Sequence, residues 1–222
     1  AVLSFYFFAK ALDGGPRANF VAAILCGIAA ELSCLQGLFV FPIFAALQIW
    51  LWAVERKSPG RRLGWVLACA ALSWIAYFVH FQKPPGHSTY AAGSVASAVA
   101  YFFASAGSIA AARQAAPAVV LGGILWAVIV ALIVHLVRHR RTRESLFPLG
   151  MILFSAAVSA SLAVGRSGAE LGVAGAMTSR YATFSLMGFI GILLVVYREY
   201  PDPAAAAAGG RLMWRACACF LG

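Results

Sequence analysis

Long apolar segments separated by short polar turns dominate the pattern of this chain. A membrane-spanning α-helix needs about 20 mostly apolar residues, and most of these segments approach that length. The pattern predicts an all-α, polytopic transmembrane helix bundle. The apolar segments are Ala1–Leu12, Ala18–Ser33, Gly37–Val54, Leu63–Phe81, Ala91–Ala112, Ala118–Val137, Leu146–Val164 and Ala182–Tyr197.

We therefore expect about seven to eight spanning or partly spanning helices and one interfacial or re-entrant helix, in a single transmembrane domain over residues 1–222. The chain opens within an apolar segment without a methionine, and Leu212–Gly222 is typical of the start of another helix. We interpret the sequence as part of a longer polytopic protein.

Composition supports a membrane protein and excludes several other classes. Hydrophobic residues make up 63% of the chain, charged residues 11%, and the mean hydropathy is +0.87. Soluble domains are about 45–50% apolar and about 25% charged. A soluble enzyme, a disordered chain, a coiled coil and a free nucleic-acid binder are excluded, so we expect membrane lipids and no nucleic acid as partners.

The distribution of basic residues predicts an orientation. Lys and Arg number 17 against 7 acidic residues, and such an excess is typical of cytoplasmic loops of membrane proteins. If Ala91–Ala112 crosses the membrane, the basic residues divide nine to eight between the two sides. If it does not cross, they divide thirteen to four, which the positive-inside rule favours. The four on the outer side are then Lys83, Arg113, Arg166 and Arg180.

The composition of Ala91–Ala112 agrees with a segment that does not cross. It is rich in Ala, Ser and Gly, and such a helix is better suited to packing against protein than to facing lipid. The alternative is a spanning helix that lies buried inside the bundle.

This topology gathers the unusual polar residues on the outer side. Glu31 lies in the sequence Glu31–Gln36, which joins two apolar segments with almost no loop. A carboxylate near the hydrocarbon region is costly unless it is paired or hydrated. Glu31 is therefore expected to face protein or a water-filled cavity, with an arginine as a plausible partner. The alternative is a structural hydrogen-bonded kink between two helices.

Two further outer segments carry candidate binding residues. Lys83 and His87 lie in a loop that contains two consecutive prolines, which restrict the backbone. The loop either contacts a phosphate or substrate or is an ordinary stiff loop. His80 and His87 alone are too few ligands for a typical zinc site. Arg166 and Arg180 end the third outer loop, and arginine forms bidentate hydrogen bonds with phosphate. They form a candidate phosphate clamp, or else they contact lipid headgroups or pair with Glu170 or Glu31.

No cofactor or metal centre is expected. The cysteines do not have the spacing of a ligand framework, and a nucleotide-binding loop, a Ser-His-Asp arrangement and a haem attachment site are all missing from the sequence.

Four short segments of the chain together resemble the later membrane half of bacterial polytopic proteins related to GT-C-type glycosyltransferases. They are Ala30–Pro42, Lys83–His87, Gly165–Arg166 and Ser179–Tyr181. The resemblance implies sugar transfer from a polyprenyl-phosphate donor at the outer face of the bacterial cytoplasmic (inner) membrane. It also implies that outer arginines contact the lipid phosphate.

The chain departs from that family in one respect. GT-C enzymes usually carry their acidic catalytic residue in the first outer loop, and this sequence has no such loop. Glu31 and Glu170 are its only outer carboxylates, and they are the candidate catalytic residues. The candidate residues for substrate or phosphate binding are Arg166, Arg180, Tyr181, Lys83, His87 and Gln36.

Three functions therefore remain open. The first is transfer or handling of a polyprenyl-phosphate-linked sugar. The second is an accessory or scaffold subunit that joins other membrane subunits in a larger complex, since small residues permit close helix packing. The third is a lipid or solute transporter, although we find one odd segment and no internal repeat.

Overall fold

The computed structural model describes residues 1–55, 60–79, 94–109, 114–139, 143–168, 172–177 and 179–199, with side chains from residue 182 onward in the last range. Within these ranges the regular structure is entirely helical, which confirms the all-α prediction. The α-helices are α1 Val2–Leu12, α2 Arg17–Ser33, α3 Val40–Glu55, α4 Gly60–Val79, α5 Val95–Gly107, α6 Ala115–Arg138, α7 Leu146–Arg166 and α8 Ser179–Glu199. Two 3-10 helices, Leu35–Phe39 and Gly172–Met177, complete the set.

Five helical segments are long and apolar enough to cross a membrane. They agree with predicted segments to within a few residues, and the chain is a multi-pass integral membrane protein. The five are Leu35–Glu55, Gly60–Val79, Ala115–Arg138, Leu146–Arg166 and Ala182–Glu199.

Basic residues gather at one end of the bundle, which we call the basic end. The Arg62 guanidinium donates to the Ala11 carbonyl at the end of α1 over 2.6 Å. Arg143, just before α7, pairs with Glu55 at the end of α3. His135 Nε2 lies 3.3 Å from Glu199 Oε2, and this contact joins the last turns of α6 and α8. The described residues from the predicted basic side all lie here: Lys10, Arg17, Arg61, Arg62, Arg138, Arg143 and Arg198.

The opposite end contains the last turn of α2, the first 3-10 helix and the end of α4. Ser73 of α4 contacts Glu31 of α2, and Trp74 contacts Leu38. Helix α7 also ends here, because Arg166 shares a cavity with these elements. Since α6 ends at the basic end, its first residue, Ala115, lies at the opposite end as well.

In chain order, helix α5 lies between the end of α4 and the start of α6. It has 13 residues, which corresponds to about 20 Å, against about 30 Å for a bilayer core. It runs antiparallel to α6, with the Phe102 and Trp126 rings stacked at 5.0 Å. Val79, the last residue of α4, and Ala115, the first residue of α6, both lie at the end opposite the basic end, which is the arrangement that a segment without a net crossing requires. Parts of Ala91–Ala112 lie outside the described residues, so its re-entrant or interfacial course stays a prediction.

An aromatic core joins α1, α3 and α7. The Phe8 and Phe44 rings stack at 3.9 Å, and Phe5 makes edge-on contacts at 5.7 Å with both Phe44 and Phe154. A Cβ at Gly150 would lie 2.8 Å from the Phe5 ring. A glycine at this position of α7 thus lets the α1 aromatic ring pack against the α7 backbone.

Buried serines connect α5, α7 and α8. Ser105 donates to Ser159 over 2.8 Å, and Ser185 donates to the Ser105 carbonyl. All three side chains are buried. Hydroxyl groups of this kind hydrogen-bond across apolar helix interfaces, where an unpaired polar group would be costly.

Candidate functional site

The turn that carries Glu31 and Gln36 has an unusual backbone. Helix α2 ends because Cys34 adopts an extended conformation, with φ −162° and ψ 149°. The chain then forms the 3-10 helix Leu35–Phe39 instead of beginning α3 directly at Gly37 as predicted. A Cβ at Gly37 would lie 2.3 Å from the Ala30 carbonyl oxygen. Glycine is therefore required for the chain to fold back against the end of α2.

Glu31 connects α2 to α4. Its Oε2 accepts a hydrogen bond of 2.6 Å from the Ser73 hydroxyl. Its Oε1 is buried and has no hydrogen-bond partner within the described part of the chain. The arginine partner expected from the sequence is not found among those residues, and a serine occupies that role. The carboxylate has one fixed oxygen and one oxygen available for a further donor.

Aromatic side chains of α4 form a wall beside this turn. The Trp74 indole donates to the Leu38 carbonyl over 3.2 Å, which anchors α4 to the first 3-10 helix. Its ring lies 6.5 Å from Phe39 and 5.7 Å from Phe78. Both Trp74 and Phe78 are partly exposed, so this wall extends to the surface of the bundle.

A cavity of about 390 Å³ lies between this wall and the end of α7. Leu35, Gln36, Leu38 and Phe39 line one side, and Trp74, Tyr77 and Phe78 line another. The end of α7 closes it with Ser161, Leu162, Gly165 and Arg166. Most of the lining is apolar, with a single amide and a single guanidinium. We call this space the α4–α7 cavity.

The cavity brings together two of the predicted site residues, Gln36 and Arg166. Glu31 lies on the neighbouring side of the same turn but does not line the cavity. Lys83, His87 and Glu170 lie outside the described residues. Arg180 and Tyr181 belong to the first turn of α8, and their side chains are likewise outside the description.

Sequence reasoning missed the aromatic wall of α4. Trp74 and Phe78 are four positions apart and therefore share one face of a helix. That spacing is visible in the sequence, yet it is also common on helices that face lipid. The missing information was tertiary, because only the position of Leu38 shows which face of α4 meets the turn.

This arrangement suits an amphipathic anion. An arginine supplies a permanent positive charge and several donors for phosphate. A glutamine amide supplies an NH₂ group that donates and a carbonyl oxygen that accepts, so it can hydrogen-bond a polar headgroup in both ways. The aromatic and aliphatic walls offer apolar surface against which a hydrocarbon chain can pack. The part of the chain that the structure describes contains no group of three or more His, Cys, Asp or Glu residues able to hold a metal ion.

The fold and this cavity define a multi-pass membrane protein with an amphipathic site at the end opposite its basic end. Comparison of the chain with family models, curated proteins and solved structures found no match.

Proposed function

We propose that this protein binds a polyprenyl-phosphate-linked sugar in the α4–α7 cavity at the outer face of a bacterial cytoplasmic membrane, and transfers or hands on the sugar. The observation that carries the proposal is the pairing of Arg166 and Gln36 with the aromatic wall of Trp74 and Phe78 in a single cavity. The resemblance to GT-C-type glycosyltransferases gives the reaction class.

Each part of such a lipid has a matching surface. Arg166 binds the phosphate, and Gln36 contacts the sugar or the second phosphate oxygen. The partly exposed rings of Trp74 and Phe78 receive the first isoprene units, and van der Waals packing stabilises this contact inside the bilayer. Arg180, Tyr181, Lys83 and His87 remain candidates for further phosphate or sugar contacts.

A carboxylate would serve the acceptor. A transferase must deprotonate an acceptor hydroxyl while positive charge stabilises the departing phosphate. Glu31 lies beside the turn that carries Gln36, and its buried Oε1 has no partner within the described ranges, while Glu170 follows α7 in the sequence. Either one holds the acceptor or orients an arginine.

The test is transfer of a radiolabelled sugar from a polyprenyl-phosphate donor by the full-length protein in lipid nanodiscs. Arg166→Ala and Gln36→Ala should each lower both donor binding and transfer. Loss of one charge-assisted contact with phosphate corresponds to roughly tenfold weaker binding. Trp74→Ala should narrow the range of isoprenoid chain lengths that the protein binds tightly.

Arg138→Ala is the matched control, because Arg138 is an exposed arginine at the basic end. It should bind and transfer like the wild type. Unchanged donor binding in Arg166→Ala would contradict the proposal, as would equal losses in Arg166→Ala and Arg138→Ala.

A second candidate function is that of a non-catalytic accessory subunit. The Glu31–Ser73 hydrogen bond favours it, because a carboxylate occupied in a contact between helices serves structure as well as chemistry. This function predicts that the protein co-purifies with defined membrane subunits, and that Glu31→Gln leaves the activity of the assembled complex unchanged.

A further inference from the structure

We infer a second binding site at the basic end, which takes a phosphate ester that carries a free hydroxyl group. It is a cavity of about 480 Å³ between the ends of α1 and α3 and the starts of α2, α4 and α7. Four arginines and one glutamate line it: Arg17, Arg61, Arg62, Arg143 and Glu55.

The charges in this cavity are unbalanced. Glu55 is already held in a bidentate pair by Arg143, with contacts of 3.0 and 3.1 Å. Arg62 uses one nitrogen on the Ala11 carbonyl. Arg17 and Arg61 have no acidic partner among the residues that the structure describes. The described lining of the cavity therefore carries a net positive charge, and guanidinium groups match phosphate geometrically.

A buried amide gives the second, independent indication. Gln48 lines the same cavity, and its side chain is only 3% exposed. Among the residues that the structure describes, neither its Oε1 nor its Nε2 has a hydrogen-bond partner. Buried amides are nearly always satisfied, so this one requires a group that both donates and accepts. A hydroxyl has both capacities.

The two observations together specify the ligand class. The phosphate lies toward Arg17 and Arg61 at the mouth, and a hydroxyl of the same ligand reaches Gln48 deeper in the cavity. Leu51 and Trp52 add apolar lining. A basic pocket with such a lining is suited to hold a lipid headgroup at the membrane surface. A hydroxylated lipid headgroup and a soluble phosphate ester share this chemistry.

The experiment is native mass spectrometry of the full chain in detergent with three lipids. Phosphatidylglycerol has the phosphate and hydroxyls, phosphatidylmethanol has the same charge without hydroxyls, and phosphatidylcholine is zwitterionic. Phosphatidylglycerol should bind about tenfold or more tightly than phosphatidylcholine. The double variant Arg17→Ala/Arg61→Ala should lose that preference.

The matched control is Lys10→Ala/Arg138→Ala, which removes two exposed positive charges from the same end without touching the cavity lining. It should retain the preference for phosphatidylglycerol. Gln48→Met should lower the affinity for phosphatidylglycerol to that for phosphatidylmethanol and leave the latter unchanged. Arg17 and Arg61 are exposed, so the double variant keeps the test open even if Gln48→Met lowers the yield of folded protein.

Competition identifies the source of the ligand. Displacement of phosphatidylglycerol by glycerol 3-phosphate assigns the site to soluble phosphate esters as well, and resistance to displacement assigns it to the lipid headgroup. Equal affinity for phosphatidylglycerol and phosphatidylcholine overturns the site, and so does an equal loss in both double variants. An equal effect of Gln48→Met on both anionic lipids overturns the hydroxyl contact.

Discussion

Arg143 and Glu55 form a bidentate ion pair between residues 88 positions apart in the chain, with Nε–Oε1 and Nη2–Oε2 distances of 3.0 and 3.1 Å. The pair joins the turn before α7 to the last residue of α3. It adds a directional contact between two helices that also share the apolar core.

This ion pair should contribute measurably to stability. The Arg143 and Glu55 side chains are 41% and 22% exposed, so the contribution lies near the upper limit for exposed pairs, about 1 kcal/mol. A double-mutant cycle with Arg143→Ala and Glu55→Gln, followed by thermal unfolding in detergent, should give a coupling energy of that size. The coupling should fall as salt is added.

The Arg198–Glu144 pair serves as the comparison. Its distance is 3.6 Å, and both side chains are at least half exposed. Its coupling energy should be close to zero. Coupling energies of equal size for the two pairs would show that bidentate geometry contributes nothing here.

The contact between α5 and α6 depends on glycine. A Cβ at Gly122 would lie 1.8 Å from the Phe103 carbonyl oxygen, whereas a Cβ at the adjacent Gly123 would meet nothing within 4 Å. Gly122→Ala forces two backbones apart and should cost about 2–3 kcal/mol. Gly123→Ala should be neutral or stabilise the helix by about 0.5–1 kcal/mol.

Thermal unfolding midpoints test this contrast directly. The 222-residue chain should lose about 5–10 °C in Gly122→Ala, since 1 kcal/mol corresponds to about 2–4 °C at this size. Gly123→Ala should change the midpoint by no more than a few degrees upward. Equal midpoints for the two variants would mean that α5 and α6 do not pack closely.

The pattern of apolar segments along the chain was sufficient to predict the helices, whereas the candidate site depends on contacts between distant residues. The predicted segment Leu146–Val164 became α7, Leu146–Arg166, because an apolar segment bounded by charged turns has only one way to satisfy its backbone in a membrane. The connection between the predicted segments Leu146–Val164 and Ala182–Tyr197 has more helix than the sequence indicated, since α7 extends to Arg166, Gly172–Met177 forms a 3-10 helix and α8 begins at Ser179.

Pairing between distant residues could not be predicted. Nothing adjacent to Glu31 in the sequence indicates that Ser73 would be its partner, and an arginine was expected instead. The cavity at the basic end was missed for the same reason. Gln48 sits in the middle of an apolar segment, and only the packed structure shows both that it is buried and that it lines a cavity with Arg17.

The Glu31–Ser73 hydrogen bond should separate a structural role from a chemical one. Ser73→Ala removes the donor and leaves the carboxylate more poorly satisfied, which should cost about 1–2 kcal/mol. Glu31→Gln keeps an acceptor for Ser73 and should retain most of the stability. If Glu31 acts on the acceptor, Glu31→Gln should nevertheless abolish sugar transfer.

Ser33→Ala is the control for this comparison. The Ser33 hydroxyl donates to the Ala29 carbonyl of its own helix and is exposed, so its loss should change stability by less than about 0.5 kcal/mol. If Ser73→Ala is as stable as Ser33→Ala, the hydrogen bond contributes nothing to the contact between α2 and α4.

The positions of the end of α4 and the start of α6 predict a labelling pattern. Val79 and Gln114 are exposed and lie at the opposite end of the bundle, while Arg17 lies at the basic end. Single cysteines at these positions, in a variant whose native cysteines are replaced by serine, should react with a membrane-impermeant maleimide from only one side each. By the positive-inside rule, intact spheroplasts should show labelling of Val79→Cys and Gln114→Cys, whereas Arg17→Cys should react only in inverted vesicles. Labelling of Val79→Cys and Gln114→Cys from different sides would mean that the segment between them crosses the membrane. The end of α4 and the start of α6 would then lie at opposite faces, and the cavity beside Arg166 could not be assigned to the outer face.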